Sequence, residues 1–161
     1  MDGHVRLMAG ASLAHAQIEA NIVTDLNTAL RETECNVYSS SANVAITASR
    51  VYLPDVSVSC DLSDWTRIKA LESPTLVVEV LSTTTEQVDR LEKLLACEAY
   101  PTIQDILLVD SRRCHLEHYA RLSPNRWQET LYTHDDDSIE LQSIEVTLSV
   151  RDIYRKVYLE I

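Results

Sequence analysis

The sequence predicts an α+β (mixed α/β) fold with a central mixed sheet flanked by helices, and three observations carry that reading. An apolar run, Leu76-Val77-Val78-Glu79-Val80-Leu81, is bounded by Pro74 and by Ser82-Thr83-Thr84-Thr85, as a buried strand should be. Apolar positions Leu13, Ile18, Ile22, Leu26 and Leu30 recur at helical spacing through about Arg31. Short β-like segments then alternate with helical ones to the end of the chain, with no repeat, low-complexity tract or linker. The whole of 1–161 is therefore expected to form one domain.

In order, a short strand around Val5 to Met8 precedes the long first helix. Strands follow near Asn36 to Tyr38 and Val44 to Ala48. Pro54-Asp55-Val56-Ser57-Val58-Ser59-Cys60 alternates apolar and polar residues as a half-buried strand does. After the Glu79 strand, a helix from about Thr84 to Tyr100 opens on capping-box pairs, Thr83 with Glu86 or Thr84 with Gln87. Ile103 to Val109 reads as a further strand, followed by antiparallel strands at Cys114 to Arg121, Arg126 to Thr133 and Ile139 to Leu141. A closing helix is expected near Val150 to Val157.

Glu79 is the most informative residue, because an unpaired charge in a buried strand costs several kcal/mol. A metal ion, a lysine or arginine partner, or a raised pKa must compensate it. An antiparallel hairpin across the 61–74 connection would bring Asp55, at the start of one strand, beside Glu79 near the end of the other. Two hard oxygen ligands on rigid strands, with the Val80 carbonyl, suit Mg²⁺ or Mn²⁺ and metal-assisted phosphodiester hydrolysis. On the following helix Val88, Leu91, Leu95 and Ala99 form the apolar stripe, while Asp89, Lys93, Ala96 and Tyr100 share another face. Lys93 then either faces water or lines a cleft above the carboxylates, where it could orient the attacking water with Asp89 orienting it in turn.

These residues, Tyr52-Leu53-Pro54-Asp55, Leu76 to Ser82, Asp89-Arg90, Lys93, Tyr100 and Leu108-Val109-Asp110, stand in an order that resembles the Uma-two restriction-endonuclease family of the PD-(D/E)xK nuclease superfamily. Asp2-Gly3, Met8-Ala9-Gly10 and His15 resemble its opening segment, so the likeness spans nearly the whole chain. It implies a restriction-endonuclease-like core, a divalent metal and a nucleic-acid substrate, DNA before RNA, with His15, Glu19, Asp89 and Tyr100 as supporting residues. Leu81 stands where the general superfamily pattern has lysine, leaving Lys93 to substitute from the helix, as is also similar to the family pattern. Ser-Thr-Thr-Thr replaces the usual Ser-Pro-Ser-Thr, Leu91 replaces a glycine, and a leading helix found in many relatives is expected to be absent.

Composition bounds the rest. Only Gly3 and Gly10 occur, which excludes P-loop and dinucleotide-fingerprint readings across the remainder of the chain. Cys35, Cys60, Cys97 and Cys114 form no CxxC pair and are expected to be reduced packing residues in a cytoplasmic protein; no apolar run is long enough to span a membrane. Cys114, His115, His118 and His134 are not expected to converge on a soft metal, since strand alternation separates them. A net charge of -11 argues against tight non-specific DNA binding and leaves only a local patch of Arg90, Lys93, Arg112 and Arg113. It also supports an alternative, a catalytically inactive nuclease-fold interaction module. A homodimer is expected, as for enzymes that cut both strands.

Overall fold

The computed structural model describes residues 12–47, 50–82 and 88–159, with the side chains of Val88 and Asp89 left aside. The expected strand at Val5 to Met8 and the two capping-box pairs lie outside the described residues. The first helix, α1 (Leu13–Leu30), starts where Ser12 caps it, its side chain accepting from the His15 N–H at 3.1 Å. Strands β1 (Asn36–Tyr38), β2 (Val44–Ala45), β3 (Val51–Tyr52), β4 (Val56–Ser59) and β5 (Pro74–Leu81) follow, then α2 (Val88–Glu98). The chain continues through β6 (Asp105–Asp110), β7 (Leu116–Ser123), β8 (Arg126–Tyr132), β9 (Ser138–Leu141), β10 (Val146–Ser149) and α3 (Val150–Ile153).

Six strands form one mixed sheet in the order β1-β4-β5-β6-β7-β8, with β9 and β10 paired separately. Only β5 and β6 among these sheet neighbours run parallel, with Glu79 level with Leu108 and Leu81 level with Asp110. The crossover between them carries α2, as a parallel pair requires. β4 and β5 form the expected antiparallel hairpin, with Val56 opposite Val78. Alternation then sorts side chains to two faces. On one, Val56, Val58, Leu76, Val78 and Leu107 pack under Ile18, Ile22 and Leu26 of α1. On the other, Val77, Ile106, Leu108 and Tyr119 pack under Leu94 and Cys97 of α2. Asn21 links α1 to α3 through its amide, which donates to the carbonyls of Ile153 at 2.9 Å and Arg155 at 2.8 Å. Where β5 ends, the Ser111 N–H and hydroxyl both donate to the Leu81 carbonyl, at 3.1 and 2.7 Å.

Four expectations are corrected. The apolar stripe assigned to α2 faces outward: Leu91 and Leu95 are more than half exposed, and Ala99 is exposed too. The face turned to the sheet is Arg90, Lys93, Leu94 and Cys97, an i, i+3, i+4, i+7 set, because the sheet beneath presents buried acids that need cations more than it needs leucines. Cys35 and Cys60 are disulfide-bonded, while Cys97 and Cys114 are free. The register explains the pairing, since Asn36 lies opposite Ser59 and the next residues outward are the two cysteines. The second strand stops at Ala45, and the closing helix spans only Val150–Ile153, ended by turns through Lys156, which adopts a φ of 60°. β3 and β10 were not anticipated. Among the described residues, no helix is long and apolar enough to cross a membrane.

Because the disulfide closes a separation of 25 residues, reducing it is expected to cost about 3 kcal/mol, chiefly by freeing the unfolded chain. Thermal unfolding with and without reductant checks this, with Cys35→Ser expected to show the reduced value in both.

Candidate active site

The hairpin register decides which acids meet. Asp55, one residue before β4, lies level with the end of β5, and its Oδ2 accepts from the Val80 N–H at 2.7 Å. Glu79, one residue earlier on β5, shares the sheet face of Val77 and Leu81 and is 8% exposed. Tyr52 on β3 donates its hydroxyl to Glu79 Oε1, and Lys93 Nζ lies 3.6 Å from Glu79 Oε2 and 5.5 Å from the centre of the Tyr52 ring. The structure thus brings Asp55, Glu79, Val80 and Lys93 together. Lys93 lines the sheet side of α2 and is not simply a solvated helix residue.

α1 completes the cluster from the opposite flank. His15 is buried in its first turn, with Nε2 3.3 Å from Asp55 Oδ2 and Nδ1 4.0 Å from Glu19 Oε2. Glu19 is itself held by the Ser40 N–H, which donates to Oε1 at 3.2 Å. Two supporting residues stand differently. Tyr100 lies at the far end of α2, donating to the Glu72 carbonyl, and has no part in the cluster; the i+7 step from Lys93 keeps it on the same side but carries it too far along the axis. The side chain of Asp89 lies outside the described residues.

The electrostatics follow from burial. The Glu79 carboxyl is pushed up to about 7, first by loss of water and then by the charge of Asp55, with Lys93 pulling the other way. His15 is raised above its ordinary range, chiefly by its hydrogen bond to Asp55, against the cost of burial. The Tyr52 hydroxyl is raised by burial and by the Glu79 charge, so it stays a neutral donor. Cys97, buried beside the cluster, is pushed up to about 12 for the same first reason and is inert as a nucleophile near neutrality.

This site fits a divalent cation. His15, Glu19 and Asp55 each offer a ligand atom, all within 4.8 Å of one another, and the buried His15 Nδ1 has no hydrogen-bond partner. The carboxylate oxygens of Glu19 and Asp55 suit Mg²⁺ or Mn²⁺, whereas the His15 imidazole nitrogen is a ligand that softer ions such as Zn²⁺ and Fe²⁺ prefer. A cation here would also offset the Asp55 and Glu79 charges that repel each other. Two cavities, of about 520 and 400 Å³, lie elsewhere, at the end of the sheet near Gln104 and Arg121. The acids instead sit between α1, the hairpin and α2.

Tyr52 is the contact that sequence reasoning missed. It belonged to the quoted Tyr-Leu-Pro-Asp segment, yet only the position of β3 reveals that its hydroxyl reaches Glu79. Arg90, paired with buried Glu117, was recognised only as part of a basic patch.

The fold is a mixed sheet with helices on both faces, its acids converging at the end of a hairpin. It is shared with the crystal structure of "a putative nuclease belonging to DUF820" from Anabaena variabilis, at a TM-score of 0.74 and 18% identity over 89% of this chain and 82% of that one. The chain belongs to the Uma2 family, described as "Putative restriction endonuclease", whose model matches residues 1–151. Two relatives from Synechocystis sp. strain PCC 6803 are the uncharacterized protein slr1290, 34% identical over 96% of this chain and 81% of its own, and sll1609, 26% identical over 91% and 84%.

With its pKa raised in the folded state, Glu79 keeps a proton that the unfolded chain releases, so stability of the metal-free protein falls as pH rises from 4.5 toward 7 and stays low above it. Glu79→Gln removes that titration. In EDTA the variant is expected to match wild type near about pH 4 and to melt higher near about pH 8, by about 2–4 °C for each kcal/mol recovered. Parallel pH profiles for the two proteins would mean that Glu79 is ionised throughout.

Proposed function

We propose that this protein is a metal-dependent endonuclease that hydrolyses phosphodiester bonds in nucleic acid, with DNA as substrate. The observation that carries the reading is the convergence of Asp55 and Glu79, from paired strands, with Lys93 from the helix laid across them. Family membership supplies the nuclease class, and the site supplies the chemistry.

Asp55 and Glu79, with the Val80 carbonyl, are the residues that would hold Mg²⁺ or Mn²⁺, and His15 and Glu19 extend the donor set from α1. The ion, when bound, polarises the scissile phosphate and lowers the pKa of water. Lys93 orients the attacking water and meets the negative charge that develops on the phosphorane, where fixed cations contribute most. Tyr52 fixes the Glu79 carboxylate through its hydroxyl, so that one oxygen is committed to Tyr52 and the other faces Lys93. Because Glu79 titrates near neutrality without a cation, metal binding displaces a proton, and apparent affinity should rise with pH through about 7.

A homodimer belongs to the same proposal: Leu131 on the edge strand β8 and Leu122 on its neighbour β7 are more than half exposed. A second reading, an inactive nuclease-fold interaction module, is favoured by the net charge of -11. The two differ in cleavage. Purified protein is expected to cut DNA in Mg²⁺ or Mn²⁺ and not in EDTA. Asp55→Ala and Glu79→Ala should abolish cutting while remaining folded, and Lys93→Ala should lower kcat by about a hundred-fold or more with a smaller effect on metal affinity. Undiminished cleavage by either alanine variant of the acids would overturn the assignment, and no cleavage by wild type in any metal would favour the module.

A further inference from the structure

A second buried acid lies on the same sheet face as Glu79. Glu117 on β7 is 7% exposed and level with Leu108 on β6, which is itself level with Glu79 on β5. The two acids therefore stand in one row across the sheet, two strand spacings or about 10 Å apart. Each is met by a cation from α2, Glu79 by Lys93 and Glu117 by Arg90. Arg90 and Lys93 are three residues apart on the helix, which sets their Cβ atoms about 5–6 Å from each other.

Glu117 is unusually well fixed for an acid whose only task is to neutralise an arginine. It accepts from the Tyr119 hydroxyl at 3.1 Å and lies 3.5 Å from His115 Nε2, while Tyr119 also reaches Glu129 Oε1 at 3.2 Å. A guanidinium held by such an anchor loses little rotamer freedom when it takes up a ligand. Arg90 has five N–H donors and engages Glu117 through Nη2, and about a third of its side chain stays in solvent. The guanidinium also meets the Tyr119 hydroxyl, and the donors left over match a phosphate, which guanidinium binds through paired hydrogen bonds. Arg112 and Arg113, the other members of the expected basic patch, converge instead on Asp110, away from this row.

We propose that Arg90, preset by Glu117, is a second phosphate subsite that binds the nucleic-acid phosphate next to the one cleaved at Asp55, Glu79 and Lys93. The proposal rests on the nuclease reading above and adds to it how a chain of net charge -11 holds a polyanion: by a few cations fixed in advance by buried acids. Glu117 acts as a positioning residue, since it reaches substrate only through Arg90.

The test is steady-state cleavage of a labelled DNA duplex and of the corresponding single strand in Mn²⁺ over a range of salt, for wild type, Arg90→Gln and Arg90→Lys, with thermal unfolding of each. Arg90→Gln is expected to raise KM about ten-fold while kcat falls far less, and to reduce the slope of log(kcat/KM) against log salt by about one. Arg90→Lys should restore the slope and only part of the affinity. A wild-type KM and slope in Arg90→Gln, with wild type active, would overturn the subsite and leave the nuclease reading standing. Losses in both Arg90 variants that track only a lowered melting temperature would overturn it too, since a purely structural ion pair behaves that way. Absence of cleavage by wild type would remove both proposals together.

Discussion

The arrangement turns on one constraint: a carboxylate placed in the interior of a parallel strand pair must be compensated. Glu79 lies among Val77, Val78, Val80 and Leu81, and burial, ahead of the neighbouring Asp55 charge, pushes its carboxyl up to about 7. The surroundings answer with a hydroxyl from Tyr52 and an ammonium from Lys93. Asp55 is held nearby by the Val80 N–H, although its charge works against Glu79. That antagonism is unfavourable for stability, and in the proposed function it serves binding, because two acids kept close by backbone pairing would attract a cation that neither would hold alone.

The same constraint sets the roll of α2. Burying a leucine side chain contributes about 1.5–3 kcal/mol, but leaving a buried acid without its partner costs about 3–5 kcal/mol, and two such acids lie beneath this helix. Arg90 and Lys93 therefore take the inward face with Leu94 and Cys97, and Leu91 and Leu95 are left in solvent. An amphipathic stripe read from sequence assumes that the surface below is apolar. Here that assumption fails at the positions where the sheet carries charge.

This explains what was legible in the sequence and what was not. Glu79 stood out because it alone was charged in its run, and the hairpin with Asp55 followed from chain order and strand direction. The position of α1 followed from periodicity. The facing of α2 did not, because it depends on Glu117, which comes from a strand more than twenty residues later, and its row across the sheet is set by register. The Cys35 to Cys60 bond was hidden for the same reason: it requires knowing that β1 pairs with β4. Tyr52 sits on a two-residue strand, β3, too short to leave a period, and Tyr100 shared a helix side with Lys93 without sharing its depth.

The double hydrogen bond from Ser111 to the Leu81 carbonyl acts as a clasp at the point where the chain leaves β5 for α2. Ser111 belongs to the connection between β6 and β7, so a segment with no side chain in the acid cluster helps to anchor the strand end from which the lysine-bearing helix departs. The β6–β7 turn thus fixes the exit of β5 from outside, holding the last residue of the strand that carries Glu79 while adding nothing to its chemistry.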